Sequence, residues 1–269
     1  KQELGNLSTD NSQNEYYLTD VLENIAKNNN VATLAVDSES ILGVNSRIQL
    51  AQAETVMRKR INEAHMRNGV TLINPDCTYI DKSVIIEKDC IIYPNCHIKG
   101  NTLIRSNTEI RENAVIENSV IGECVSVKSS TIIDSQIGNG TTVGPYAYLR
   151  PGSRIGNNCK IGDFVEFKNA SFGDGSKASH LSYIGDADVG SNVNIGCGVV
   201  FVNYDGKNKF RTVVKDNSFV GSNSNLVAPV TIEENSFIAA GSTITEDVPK
   251  DSLAIARGRQ VNKADWNNK

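Results

Sequence analysis

Isoleucine recurs at every sixth residue over a long stretch of the chain. The series comprises Ile80, Ile86, Ile92, Ile98, Ile104, Ile110 and Ile116. A period of six fits neither the turn of an α-helix nor the two-residue alternation of an isolated strand, so it indicates a stacked repeat. Because one repeat cannot bury its own apolar residue, we expect successive repeats to stack around a continuous core. The pattern predicts an all-β parallel β-helix with three short strands and about 18 residues per coil.

The spacing continues to residue 244 with a few shorter steps. The further residues predicted to face inward are Val127, Ile133, Ile137, Val143, Leu149, Ile155, Ile161, Phe167, Phe172, Ala178, Ile184, Val189, Ile195, Phe201, Val213, Phe219, Asn225, Ile232, Ile238 and Ile244. Its clearest interruption is the segment 203–212 (NYDGKNKFRT), which we call the insertion loop. A loop inserted into a solenoid often carries the binding surface. Its Asn, Tyr and Lys residues suit an anionic ligand; the alternative is a surface insertion without a role.

Residues 1–78 lack the six-residue spacing. The segment 19–27 predicts a helix, and 46–68 predicts a longer helix that begins with a capping box. Between them, 31–36 predicts a short buried strand. This part is too short and too polar for a complete α/β domain.

We therefore expect three regions along the chain. Residues 1–78 form a short, mainly helical segment, the remnant of a larger domain with a linker helix. Residues 79–248 form the β-helix, and 249–269 form a polar tail. Since the chain starts with Lys1 rather than Met, we expect an upstream segment to be missing.

Composition excludes several classes of protein. The net charge is −4 and aromatic residues make up 6% of the chain, which disfavours a nucleic-acid-binding protein. There is no apolar run of the roughly 20 residues that a membrane-spanning helix needs, and we expect no signal peptide. The 6 cysteines form no CxxC pair. We expect free thiols in a cytoplasmic protein rather than a disulfide or zinc framework.

Two basic residues are predicted to stack. Three strands per coil place the inward Leu149 and Phe167 one above the other, about 4.8 Å apart. Arg150 and Lys168 directly follow them and therefore lie on successive coils. Two cations this close repel each other unless an anion lies between them, and a phosphate fits. The alternative is a pair of solvated side chains that point apart.

His180 and Cys197 are predicted to share a second column. Each lies two residues after an inward position, and the two inward positions are three strands apart. With the insertion loop set aside, Phe219 is the next inward residue, and small residues are expected above Cys197, namely Gly221, Ser222 and Ala240. A slot of small side chains and backbone suits a long, thin ligand that runs along the stack. A structural or merely solvated histidine is the alternative.

The positions of the histidines argue against a zinc enzyme. His65 lies outside the predicted β-helix and His97 lies several coils from His180, so one chain assembles no three-histidine site. A Ser-His-Asp triad is not indicated. Cys197 has no support as a nucleophile beyond lying one coil from His180.

Long strings of the sequence resemble a known family. They are LRPGSRIGNNCKIGDFVEFKNASFGDGSKASHLSYIGDADVGSNVNIGCG, NYDGKNKF and LVAPVTI…IAAGSTIT. They are similar to the acetyltransferase half of the bifunctional N-acetylglucosamine-1-phosphate uridyltransferase/glucosamine-1-phosphate N-acetyltransferase. The resemblance covers about residues 12–261. It implies a left-handed parallel β-helix of hexapeptide repeats and a homotrimer whose active sites are shared between subunits.

The strings NEYYLTDVLENIA and GVNSRIQLA match the end of that family's uridyltransferase domain. The family's Gly-rich nucleotide loop and catalytic basic residues have no counterpart here. Asn45 matches one magnesium-binding residue, whose Asp partner is absent. The resemblance therefore implies a remnant metal position at Asn45, no uridylyl transfer by this chain, and magnesium only for the missing half.

The resemblance also implies roles for residues of the predicted β-helix. His180 matches the general base that takes the proton from the attacking amine, and Glu166 is expected to orient it. The positions that match the sugar-phosphate site are Arg150, Lys168, Tyr183, Asn194 and Lys209. The positions that match the acetyl-CoA site are Cys197, Asn203, Tyr204, Ser222, Ala240 and Arg257. Many family members have Ala where this chain has Cys197, whose backbone N–H is a candidate oxyanion donor.

These matches predict the transfer of acetyl from acetyl-CoA, as co-substrate, to the amino group of glucosamine 1-phosphate. The product, N-acetylglucosamine 1-phosphate, serves the synthesis of UDP-N-acetylglucosamine and cell-wall precursors. Two alternatives stay open: an acetyltransferase with the same repeats that acts on another amine or hydroxyl, and a non-catalytic, oligomerising solenoid.

Overall fold

The structure is a computed structural model that describes residues 3–27, 29–264 and 266. The chain divides into two compact units, Lys1–Glu54 and Thr55–Lys269. Within the described residues, no helix is long and apolar enough to cross a membrane.

The first unit contains little regular structure. Helix α1 spans Asp20–Ala26, close to the predicted helix, and two 3₁₀ turns span Glu3–Asn6 and Ser38–Ile41. The strand predicted at 31–36 is wrong: these residues form no regular element, and Leu34 is 86% exposed. A short apolar run becomes a strand only where a neighbouring strand and a core receive it. None of the described residues of this unit is buried.

Helix α2 spans Arg47–Arg67, in agreement with the longer predicted helix. Its start shows the predicted capping by Ser46 and Gln49. The backbone N–H of Gln49 donates to Ser46 Oγ at 3.2 Å, and the Gln49 side chain accepts from the backbone N–H of Asn45 at 2.7 Å. Near the other end, the buried Asn62 donates to the carbonyl of Thr78 at 3.0 Å, which fastens the helix to the first coil.

The second unit is a left-handed parallel β-helix of about 10 turns, as expected. Each turn contributes a strand to each of three faces. The first face contains Thr71–Leu72, Ile91–Ile92, Glu109–Ile110, Ser126–Val127, Thr142–Val143, the starts of Lys160–Lys168 and Lys177–Gly185, Asn194–Ile195, Phe219–Val220, Phe237–Ile238 and Leu253–Ala254.

The other two faces follow the same order along the axis. The second contains Tyr79–Ile80, His97–Lys99, Val115–Glu117, Thr131–Ile133, Tyr148–Leu149, the ends of Lys160–Lys168 and Lys177–Gly185, Val200–Val202, Asn225–Val227 and Thr243–Ile244. The third contains Ile85–Ile86, Leu103–Ile104, Val120–Ile121, Gln136–Ile137, Arg154–Ile155, Ser171–Phe172, Ala187–Val189, Thr212–Val214 and Val230–Ile232. The strands therefore extend beyond the predicted range 79–248 at both ends.

A single column of buried side chains fills the solenoid behind each face. Most of the predicted inward residues are buried, but four predictions were wrong by one position. The buried residues there are Ile132, Val214, Val220 and Leu226, rather than Ile133, Val213, Phe219 and Asn225. Ile121, also fully buried, was missed. Five-residue steps and the insertion loop shift the register, and two adjacent apolar residues such as Ile132 and Ile133 leave the spacing ambiguous.

All 6 cysteines are free thiols, as expected. Burial raises the pKa of the Cys96 thiol to about 11, so this cysteine behaves as a small core residue.

Two long strands interrupt the regular pattern of short ones. Lys160–Lys168 and Lys177–Gly185 each continue through the corner between the first and second faces and pair along their length. At this corner Phe164 and Leu181 adopt left-handed φ angles of 56° and 37°. The corner therefore presents its neighbouring side chains outward, and it is here that His180 lies.

Candidate active site

His180 is paired with a carboxylate on the preceding coil. Its Nδ1 lies 2.6 Å from Oδ1 of Asp163, and the two residues are register partners in the long strands. Because an ionised carboxylate only accepts hydrogen bonds, Nδ1 carries the proton and donates it. This hydrogen bond lowers the pKa of Asp163, so the carboxylate is ionised at neutral pH. The ring's Nε2 is thereby left to accept a proton in the neutral imidazole.

The expected partner of His180, Glu166, lies elsewhere in the register. Glu166 pairs with Tyr183 along the strands and accepts from Arg150 Nη1 at 2.9 Å. The sequence held a signal for the correct partner: Asp163 lies two residues after the inward Ile161, as His180 lies two residues after its own inward residue. The structure thus gives the orienting position to Asp163, and Glu166 contacts a cation of the neighbouring group.

Three basic side chains lie together at the second-face end of the long strands, and we call them the cation cluster: Arg150, Lys168 and Lys209. The backbone N–H of Arg150 bonds to the carbonyl of Phe167 at 2.9 Å, which places Arg150 and Lys168 on successive coils as predicted. The insertion loop brings Lys209 to the same place. The nearby Lys168 lowers the pKa of Lys209, with a further contribution from Arg150. Such mutual repulsion favours a bound anion.

A carboxylate supports the cation cluster. Lys168 Nζ lies 3.0 Å from Oδ2 of Asp186, and this hydrogen bond raises the pKa of Lys168. Tyr183 lies close enough to interact electrostatically with Arg150 and Lys168. Among the predicted sugar-contacting positions, Asn194 lies apart from this group in register, on the first face beside Lys177.

A column of mostly small side chains rises from His180 along the axis. The register of the first face aligns the inward residues Ile161, Ala178, Ile195, Val220 and Ile238. Two residues after each lie Asp163, His180, Cys197, Ser222 and Ala240, respectively. The predicted column is therefore present, with Val220 in place of Phe219 as its inward residue, and Gly221 one position off the column. Cys197 is exposed at the level above His180.

The insertion loop is a small hairpin fastened at its base. Tyr204 and Lys209 form an antiparallel bridge, and the Asp205 carboxylate accepts from the backbone N–H of Lys207 at 2.7 Å. Farther along the axis, Arg257 Nη1 donates to the carbonyl of Ala240 at 2.9 Å. The predicted acetyl-CoA positions thus occupy the column, the hairpin and the tail.

The predicted remnant metal position, Asn45, belongs to the first unit and is exposed. In the part of the chain that the structure describes, no group of three or more His, Cys, Asp or Glu residues is arranged to hold a metal ion.

Residues 83–118, 134–169 and 211–246 match the family described as bacterial transferase hexapeptide (six repeats). The chain is 60% identical over 268 residues to the bifunctional protein GlmU of Clostridioides difficile and 56% identical over 267 residues to that of Clostridium botulinum strain 657. Each comparison covers 99% of this chain. The chain is thus similar to GlmU over nearly its whole length. It spans 58% of the length of these GlmU proteins.

A solved structure is also similar to this chain. The UDP-N-acetylglucosamine acyltransferase of Francisella novicida has a TM-score of 0.49 and 20% identity, covering 69% of this chain and 67% of that chain. The alignment with GlmU spans the positions of the cation cluster, His180 and the insertion loop, because it covers 99% of this chain.

Proposed function

We propose that this chain transfers acetyl from acetyl-CoA to the amino group of glucosamine 1-phosphate. The observation that carries the proposal is the position of His180. Its Nε2 is left free to accept a proton, its strand pairs with the strand that ends at Lys168 of the cation cluster, and a column of small residues rises above it. A base, an anion site and an axial slot are what this reaction requires. The similarity to GlmU over nearly the whole chain supports the same assignment.

The cation cluster binds the phosphate of the sugar in this proposal. Arg150, Lys168 and Lys209 supply the positive charge, and the anion relieves the repulsion that lowers the pKa of Lys209. Tyr183 contacts the sugar, and Asn194, which lies apart from the cluster within one chain, contacts it from a neighbouring subunit. The phosphate then fixes the amino group near His180, which supplies proximity for the chemical step.

Acetyl-CoA lies along the column and against the insertion loop. Its proposed contacts are Cys197, Asn203, Tyr204, Ser222, Ala240 and Arg257. Small side chains let the pantetheine arm approach the backbone, and the exposed Arg257 suits the nucleotide phosphates.

The chemistry proceeds by direct transfer. His180 takes a proton from the amine as the nitrogen attacks the thioester carbonyl, and the backbone N–H of Cys197 stabilises the developing oxyanion. Collapse of the tetrahedral intermediate forms the amide bond, breaks the carbon–sulfur bond and releases CoA, whose sulfur receives the proton. Asp163 accepts from Nδ1–H throughout and stabilises the imidazolium. The enzyme forms no covalent intermediate.

Several copies of the chain complete the assembly in this proposal. We expect a homotrimer whose subunits share each active site, with the insertion loop reaching the neighbouring coil. The product serves UDP-N-acetylglucosamine synthesis.

The test is an acetyl-transfer assay that detects N-acetylglucosamine 1-phosphate by mass spectrometry, so that the free thiols of the protein do not interfere. His180→Ala is expected to lower kcat by about 10² to 10⁴ and to leave KM nearly unchanged. The matched control is His97→Ala, since His97 stacks on Tyr79 at a centroid distance of 4.6 Å on early coils of the solenoid. Unchanged kcat in His180→Ala would reject the general base.

A second arm tests the phosphate site. Lys168→Ala should raise KM for glucosamine 1-phosphate more than it lowers kcat. Equal activity of the unaltered chain on glucosamine and on glucosamine 1-phosphate would contradict the proposed site and favour an acetyltransferase for another amine.

A further inference from the structure

One buried carboxylate connects the two halves of the candidate site. Asp186 is 7% exposed, and its side chain accepts from Lys168 at 3.0 Å, from Asn169 at 2.7 Å and from the Asn203 amide. Burial alone would raise the pKa of Asp186, but these three donors outweigh it and lower the pKa. The carboxylate is therefore ionised, and it is shared between the cation cluster and the first residue of the insertion loop.

The backbone of Asp186 holds the other end of the same loop. The N–H of Thr212 donates to the Asp186 carbonyl at 3.2 Å, and the N–H of Phe210 donates to the Asn203 carbonyl at 2.9 Å. The entry and the exit of the insertion loop are thus both attached to one residue. A change in the position of Asp186 must move the base of the hairpin.

The returning arm of the hairpin leads to the cation cluster. Lys209 lies beside Lys168, and the repulsion between the two lowers the pKa of Lys209. Without an anion, this repulsion opposes the position in which the loop lies against Lys168. An anion at the cluster removes the repulsion, while Asp186 keeps Lys168 and Asn203 in fixed relation. Anion binding therefore favours one loop position over others.

We propose that Asp186 couples the two substrate subsites, so that glucosamine 1-phosphate and CoA bind with positive cooperativity. The inference rests on the proposed function, since it takes the cation cluster as the phosphate site and Asn203 and Tyr204 of the loop as CoA contacts. A phosphate that steadies the loop raises the population that binds CoA, and by linkage CoA tightens the sugar phosphate equally. Asp186 is a positioning residue in this scheme and touches neither reacting atom.

The experiment is a calorimetric titration of CoA into the chain with and without saturating glucosamine 1-phosphate. CoA carries no acetyl group, so no turnover occurs. We expect glucosamine 1-phosphate to lower the Kd of CoA about 5-fold, the lower end of common coupling factors. In Asp186→Asn we expect the ratio of the CoA Kd values without and with glucosamine 1-phosphate to fall to about 1.

Asp134 provides a matched control, because it lies at the corresponding corner of an earlier coil. Asp134 has a φ of 45°, against 48° for Asp186, and also follows the inward residue of its second-face strand by two positions. Its side chain is exposed. Asp134→Asn should therefore keep the 5-fold coupling.

A second variant decides the matter if Asp186→Asn does not fold. Asn203→Ala removes the link from the carboxylate to the loop and leaves Lys168 paired with Asp186. It should retain the affinity for glucosamine 1-phosphate and lose the coupling. Independent binding of the two ligands to the unaltered chain, or full coupling in either variant, overturns the inference but leaves the proposed function intact. Failure of the unaltered chain to bind CoA refutes the proposed function and the inference with it.

Discussion

Replacing Asp163 with Ala removes the carboxylate that lies 2.6 Å from His180 Nδ1. The imidazole proton then distributes between the two ring nitrogens, and a ring protonated at Nε2 cannot accept from the amine. The side chains of His180 and Asp163 are 59% and 40% exposed, so water takes over part of the orienting role. We therefore expect kcat to fall about 10-fold, the lower end of the effects seen when a partner that orients a histidine is lost.

The assay is steady-state kinetics of acetyl transfer combined with ¹⁵N NMR of the histidine rings. KM for glucosamine 1-phosphate should change little, because Asp163 is not part of the cation cluster. The chain has 3 histidines, so His180 is assigned by its loss in His180→Ala. Its ¹⁵N shifts should report Nδ1–H in the unaltered chain and a mixture in Asp163→Ala. The control is Asp81→Ala, which removes another exposed carboxylate that reaches the next coil, accepting from Gly100 N–H at 2.9 Å.

A double-mutant cycle separates orientation from general loss of structure. If Asp163 acts through His180, Asp163→Ala should have no further effect on kcat once His180 is Ala. An equal loss of kcat on Asp163→Ala with and without His180 would refute the reasoning. An unchanged His180 tautomer in Asp163→Ala would refute it too.

Two further predictions concern the elements that hold the site. Gly162→Ala should lower the melting midpoint by about 5 °C, since the added Cβ would lie 1.8 Å from the carbonyl oxygen of Ser179. The control is Gly43→Ala, where an added Cβ has no atom within 4 Å. Equal shifts of the melting midpoint in the two variants would contradict the packing argument. The hydrogen bond from Arg211 lowers the pKa of Asp188. The ionised Asp188 therefore stabilises the fold fully above its unfolded pKa of about 3.9, and this stabilisation is lost as the pH falls through its pKa in the folded state. Hydrogen exchange of the insertion loop, corrected for intrinsic rates, should therefore speed up below about pH 4 in the unaltered chain. In Asp188→Asn the exchange should already be fast at neutral pH, and an identical acid response in both would argue against this anchor.

Much of the fold could be predicted because the solenoid repeats a fixed number of residues. The six-residue spacing predicted the three-stranded coil and placed Arg150 next to Lys168, and the structure confirms both. The count failed where two apolar neighbours compete for one inward position, as at Phe219 and Val220, since either choice preserves the spacing nearly as well. Only packing against adjacent coils selects between them, and a sequence period does not contain that information.

The candidate site was predicted less completely for a different reason. Asp163 and Glu166 are both acidic residues near the level of His180, and the family resemblance supplied no register to distinguish them. Asp186 was missed because an Asp at a corner fits a turn, and its φ of 48° agrees with that interpretation. Its three donors come from Lys168, Asn169 and Asn203, which become neighbours only when coils stack.

The contacts that define the site join residues 17 or 18 positions apart along the chain. The pairs Asp163–His180 and Asp186–Asn203 are 17 residues apart, and Lys168–Asp186 is 18 apart. Each separation is one coil, so adding or removing a single residue between 163 and 203 would move every later side chain by one position and exchange inward for outward residues. The insertion loop begins at Asn203, the last residue of these pairs, and is closed at its base by Asp186, so the length of the loop after Asn203 can vary without disturbing them. Variation in specificity is therefore expected in the hairpin, while the coils below it keep their length.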